Sequence, residues 1–226
     1  MRKSMFGVCL MMLGAAVVPF DNASGHAAQE ANTPSLKNPS SLTEEAPPKF
    51  RARFETNRGA FVIEVTRDWA PLGADRFYNL VQHGYYNENR FFRVIRDAIA
   101  QFGITGDPEL NVQWHDVTIQ DDPRKQTNER GYVSYAAGGP NTRTTQVFVN
   151  LNDNRVLDDA GFVPFGRVAS GMNVLDRLHS GYGDGPPSGK GPDQFKLLAE
   201  GNAYLEAEFP RLDFIETATI EEPEED

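Results

Sequence analysis

Apolar and polar residues alternate along 50–56 and again along 61–65, so that Phe50, Ala52 and Phe54, then Phe61, Ile63 and Val65, share one face of an extended chain. Asn57, Arg58 and Gly59 lie between the two runs, which predicts a hairpin with a tight, Gly-containing turn. Pro71 then opens a helix whose buried stripe is Leu72, Phe77, Leu80 and Val81, with Gly84 as its stop. Short strands follow at 90–95, 99–102, 131–136, 146–149 and 165–168, a second helix over 172–179, and a last strand at 212–220. Many short strands with two helices imply a mainly β fold, a barrel or a sandwich with helical caps.

The ends of the chain read differently. Arg2 and Lys3 precede an uncharged apolar run over 5–19, and Ser24, Gly25 and Ala27 offer a cleavage site, so residues 1–27 are expected to be a signal peptide. Fifteen apolar-biased residues are short for a membrane span. Residues 28–48 are rich in Pro, Ser, Asn, Thr and Glu and are expected to form a disordered linker. The folded domain is then 49–220, followed by an acidic tail at 221–226. Within it, the Gly- and Pro-rich stretch 181–192 is a loop, and Asp193 is placed to cap a helix running through Leu197, Leu198 and Tyr204. Together, 181–210 form an insertion before the last strand.

Composition narrows the chemistry. The chain has 226 residues with 22 Lys and Arg against 32 Asp and Glu, a formal charge of −10, which argues against a nucleic-acid partner. The single cysteine, Cys9, falls within the expected signal, so neither a disulfide scaffold nor thiol chemistry is expected. The histidines at 26, 83, 115 and 179 share no ligand spacing, so no metal is expected. Gly189 and Lys190 evoke a phosphate loop, but Asp184 holds the first Gly position, Gly191 replaces Ser/Thr, and Pro186 and Pro187 remove two donors. Asn152, Asp153, Asn154, Asp158 and Asp159 lack the glycine and terminal glutamate of a calcium loop, and no Gly-x-Ser-x-Gly elbow exists. A hydrolase or metal enzyme on an unrelated barrel is thereby disfavoured.

One constellation remains. It comprises F-x-R-V-I over 91–95, Gln101-x-Gly103, A-A-G-G-P-N-T over 136–142, T-Q-V-F over 145–148 and F-G-R-V over 165–168, in that order. Alternation sets Arg93 opposite Phe92 and Val94, and puts Ile99 with Gln101 and Gln146 with Phe148. In this ordered combination the chain resembles the cyclophilin family of peptidyl-prolyl cis-trans isomerases, over about 50–179 plus the last strand. The resemblance implies a closed eight-stranded antiparallel barrel capped by two helices, and the loop–helix insertion looks like a feature of a secreted bacterial subgroup. It makes Arg93 the catalytic arginine and Gln101 its substrate-orienting partner. Ile99, Phe148, Leu157 and Phe162 would line a proline pocket, Gln146 would support it, and the backbone of Ala136 and Ala137 would bind the peptide.

The resemblance implies X-Pro isomerisation of proline-containing clients without cofactor; the expected signal peptide adds a secreted, periplasmic location and clients that fold after export, and a monomer with no stable membrane span is expected. Four positions depart from the family pattern. Ala98 stands where an aromatic pocket wall is common, and Phe102 replaces a glycine and is expected to refill part of that space. Phe162 replaces a common histidine. Val156 replaces the tryptophan of cyclosporin-sensitive members, so weak cyclosporin binding is expected. The loss at Ala98 motivates a rival reading, a catalytically weakened proline-peptide binding module or chaperone.

Overall fold

The computed structural model describes residues 35–221. The expected signal, the first part of the expected linker and all but the first residue of the acidic tail lie outside them. Eight strands form one antiparallel sheet: β1 (Lys49–Thr56), β2 (Gly59–Thr66), β3 (Arg93–Ile95), β4 (Ile99–Phe102), β5 (Tyr132–Tyr135), β6 (Val147–Asn150), β7 (Pro164–Ser170) and β8 (Ile215–Ile220). Their order is β3-β4-β6-β5-β7-β2-β1-β8. β1 and β2 form the expected hairpin, with Thr56 opposite Gly59. β1 alternates exposed and buried residues along its first six positions, as a half-buried strand should.

The sheet curls but its ladder does not close, which corrects the expected closed barrel. The end strands β3 and β8 are not laddered to each other. The seam is made instead by the chain before each strand: Phe91 N–H donates to the Asp213 carbonyl at 3.0 Å, Ile215 N–H to Asn89 at 2.9 Å, and Arg90 forms an isolated bridge with Phe214. Strand 90–95 was expected whole, yet only its last three residues pair with β4. Phe92 therefore does not follow the alternation that groups it with Val94; the two belong to different apolar clusters.

Inside the curl, aromatic rings fill the core. Phe54 stacks on Phe61 at 4.8 Å and meets Phe102 edge-on at 5.7 Å, while Phe77 lies 4.9 Å from Phe165. Burying each such side chain contributes about 1.5–3 kcal/mol. The helix α1 (Pro71–Gln82) covers this core with Phe77, Leu80 and Val81. Leu72 was expected in its buried stripe but is 44% exposed; Ala74 and Gly73 occupy that face instead.

The second cap is smaller than expected: the helix anticipated over 172–179 is a single turn, Met172–Leu175. An unanticipated helix, Pro108–Trp114, starts at Asp107, whose carboxylate accepts from Glu109 N–H. The insertion folds as two short helices, Gln194–Glu200 and Asn202–Glu208, rather than one. Gly201 divides them with a positive φ of 63°, where an added Cβ would lie 2.1 Å from the Gly106 carbonyl oxygen. Leu197, Tyr204, Leu205 and Phe209 of the insertion pack with Phe92, Ile104 and Leu212 in a second apolar cluster.

The linker expectation is corrected over 35–48. Asn79 accepts from Glu44 N–H and donates to its carbonyl, Asp75 accepts from Ala46 N–H, and Trp114 Nε1–H donates to Leu36. Leu36 and Leu42 pack on the core. The polar composition conceals three apolar anchors, Leu36, Leu42 and Ala46, and a backbone satisfied in part from α1 and Trp114.

Candidate active site

Strands β4 and β6 are buried on both faces, unlike β1. Their inner residues Ala100, Phe102, Val147 and Val149 belong to the core. Their other face forms the floor of a groove, so a covering element must exist on that side. The register places Arg93 opposite Gln101 and Gln101 opposite Phe148, one row across three strands.

A chain of side-chain hydrogen bonds follows that row. Arg93 Nη1–H donates to Gln101 Oε1 at 3.0 Å, and Gln101 Nε2–H donates to Gln146 Oε1 at 2.9 Å. With its oxygen toward a cation and its nitrogen toward an acceptor, the Gln101 amide has one consistent orientation. Gln101 is 4% exposed, so these partners replace the water it lost on folding.

Beside this polar row lies an apolar pocket. Phe148 and Phe162 meet edge-to-face at 5.5 Å and 81°. Asn128 holds the covering segment: its side chain donates to Asp158 at 2.7 Å and to the Phe162 carbonyl at 2.9 Å. Asn154 ties the same segment to the β3–β4 turn by donating to the Ala98 carbonyl at 2.8 Å. Ala136 N–H donates to the Gln146 carbonyl at 2.9 Å, which fixes the opposite wall.

All the residues singled out from sequence, Arg93, Ile99, Gln101, Ala136, Ala137, Gln146, Phe148, Leu157 and Phe162, line one groove of about 1050 Å³. Ala98 and Val156 line it too, Val156 being 75% exposed on its rim. Phe102 does not: its ring is fully buried between Phe54, Tyr86 and Phe91. The expectation that it refills the space left by Ala98 is corrected, because residue 102 faces inward whenever Gln101 faces the groove.

Sequence reasoning missed Asp184. Its carboxylate accepts from Arg93 Nε–H at 2.7 Å and Nη2–H at 3.0 Å. The hydrogen bonds from Arg93 hold the Asp184 carboxyl below its usual range. Asp184 had been noted only for spoiling a phosphate-loop pattern, and no local signal pairs residues 91 positions apart. Tyr85, also on the groove wall, is pushed up to about 12 by burial. Among the described residues no group of three His, Cys, Asp or Glu converges as a metal site, and no helix is long and apolar enough to cross a membrane. The groove thus offers an arginine with unused N–H groups beside an aromatic pocket.

Comparison with known proteins agrees with this geometry. Residues 51–194 match the family described as cyclophilin type peptidyl-prolyl cis-trans isomerase. The chain is 35% identical over 128 residues, 55% of its length, to peptidyl-prolyl cis-trans isomerase-like 1 of Rhizopus delemar, covering 77% of that protein. It is 32% identical over 131 residues to a peptidyl-prolyl cis-trans isomerase of Acinetobacter baylyi, covering 55% of this chain and 69% of that one. A crystal structure of a Cryptosporidium parvum cyclophilin type isomerase superposes with a TM-score of 0.57 at 22% identity, over 77% of this chain and 98% of that one. A second crystal structure of that protein, in the presence of the dipeptide Ala-Pro, gives 0.55 at 23% identity, over 76% and 99%. With the matched segment spanning β1 through the arginine row to the start of the insertion, the chain belongs to the cyclophilin-type peptidyl-prolyl cis-trans isomerase family.

Proposed function

We propose that the groove accelerates rotation about X-Pro bonds in polypeptides that fold after export, and that the protein acts as a secreted, periplasmic isomerase. The observation that carries the catalytic reading is the row of Arg93, Gln101 and Phe148 across three strands. Rotation faces a barrier of about 18–20 kcal/mol set by amide conjugation. As the bond twists, the nitrogen lone pair is freed and becomes a hydrogen-bond acceptor. Arg93 supplies a donor that stays charged at neutral pH, and the Phe148–Phe162 pocket holds the ring while the preceding carbonyl turns. One such preorganised donor is typically worth about 3 kcal/mol, roughly a hundredfold in rate. The Ala-Pro dipeptide present with the Cryptosporidium protein supports proline peptides as the substrate class. The basic start and apolar run at 2–19 support export through a cleaved signal, as in a secreted bacterial subgroup.

The test is NMR exchange on an Ala-Pro peptide with the native protein and Arg93→Ala. Acceleration by the native protein and a loss of at least about tenfold in the variant are expected. Peptide-induced shifts in protein resonances without acceleration would instead make this a proline-binding module. Cleavage after Ala27, read from the intact mass of the exported protein, tests the location.

A further inference from the structure

The loop that begins the insertion supplies the other half of the arginine's environment. Gly183 forms an antiparallel bridge with Val94 of β3, which sets the next residue, Asp184, beside Arg93. The loop closes on itself there. Gly191 N–H donates to the Asp184 carbonyl at 2.8 Å, Gly185 N–H donates to the Asp184 carboxylate at 2.8 Å, and Gly189 N–H donates to the Gly185 carbonyl at 2.9 Å. A Cβ at Gly189 or Gly191 would lie 2.1 or 2.9 Å from the Asp184 carbonyl oxygen, so the turn is built around close backbone approach. After the loop, Asp193 N–H donates to the Tyr204 hydroxyl at 3.0 Å, and the chain enters the second apolar cluster. Asp184 is thus fixed on one side by the sheet edge and on the other by the insertion's own core.

Its grip on Arg93 is side-on. A guanidinium carries five N–H donors. Asp184 takes the Nε donor and one on Nη2, and Gln101 takes one on Nη1. One N–H on each terminal nitrogen is left for substrate. The pair is partly exposed, at 28% and 30% for the two side chains, so substrate can reach it while a flexible arginine is held in one rotamer.

We propose that Asp184 is a positioning residue for isomerisation: the insertion delivers a carboxylate that preorganises Arg93 with its two terminal N–H groups facing the groove. This rests on Arg93 being the catalytic donor. The same ion pair lowers the positive charge shown to substrate, an effect of opposite sign on the rate, and the experiment separates the two.

Asp184→Asn, Asp184→Glu and Arg93→Ala are compared with the full chain by NMR exchange on an Ala-Pro peptide. The 15N shift of Arg93 Nε–H is recorded for the native protein and both Asp184 variants. Asp184→Asn lowers kcat about tenfold with KM within about twofold, since binding surface is retained and only donor placement is lost. Asp184→Glu recovers part of kcat and of the native Nε–H shift. An Asp184→Asn kcat equal to or above native, with Arg93→Ala inactive, overturns the positioning role and leaves the catalytic arginine standing. An Nε–H shift identical in native and Asp184→Asn protein also overturns it, because the pair is then absent in solution. Full activity in Arg93→Ala sinks the reading of the site itself, and this inference with it.

Discussion

Arg93 has two protein partners with different responses to acid. Gln101 does not titrate, whereas the Asp184 carboxylate is held below its usual range by the hydrogen bonds from Arg93. The sign of the linkage follows. A carboxyl whose folded value is depressed stabilises the fold above its unfolded value, about 3.9, and loses that contribution as pH falls through the folded value. Asp184→Asn should therefore flatten the acid side of the urea-stability profile below about pH 4 and leave the slope between about pH 6 and 8 unchanged. Parallel native and variant profiles below about pH 4 would refute the linkage. The residue scale also explains why two aromatic readings miss. Phe102 follows Gln101 within β4, and a strand sends neighbours to opposite faces, whereas Phe92 precedes β3 and escapes that alternation. Phe102 thus enters the core, and Phe92 meets the insertion.

At the scale of elements, α1 illustrates how a local pattern can be satisfied from afar. Its N-cap, Ala70, has no side chain to accept from the first turn. The Asp122 carboxylate does so instead, accepting from Leu72 N–H and Gly73 N–H, both at 3.0 Å. Asp122 also accepts from Arg143 Nη2–H at 3.0 Å, and the two side chains are only 3% and 4% exposed. Asp122→Ala removes the cap and the buried carboxylate of Arg143, leaving the guanidinium the half-exposed Asp121 carboxylate at 3.4 Å. It should destabilise by about 3–5 kcal/mol in urea unfolding, since breaking a buried pair costs more than the pair itself contributes. A loss under about 1 kcal/mol would show that Asp121 or solvent takes over the guanidinium. The same reasoning covers the split helix. Spacing through Leu197, Leu198 and Tyr204 was read as one helix, and contact with the Gly106 backbone divides it at Gly201.

Across the whole molecule, the segment before β1 belongs to the fold rather than leading up to it. Asn79 is 2% exposed, and both of its contacts to this segment are to the Glu44 backbone. A chain beginning at Lys49 takes both Glu44 contacts from that amide, leaving it the Asp75 carbonyl, exposes the Leu36, Leu42 and Ala46 contacts, and frees Trp114 Nε1–H. The hydrogen bonds lost from Asn79 and Trp114 cost about 1–3 kcal/mol together, so the shortened chain should melt about 2–12 °C lower by calorimetry. An unchanged Tm would return residues 35–48 to the linker reading.

What the residues determined by themselves was whatever depends on short-range order. The hairpin at Thr56–Gly59, the start of α1 at Pro71 and most of the short strands were legible from local pattern, whereas the groove residues were legible only through the resemblance to a known family. Side-chain direction alternates along a strand and turn residues restrict φ, so neighbours in sequence carry that information. The Arg93–Asp184 pair, the Asp122 cap, the anchoring of 35–48 and the unclosed ladder between β3 and β8 were not legible. Each joins segments whose approach is set by how the sheet curls and how two apolar clusters pack. A single sequence lists the charges and amides that need partners. Only the packed chain decides which of them meet, because a buried polar group is satisfied by whatever the fold brings within about 3 Å.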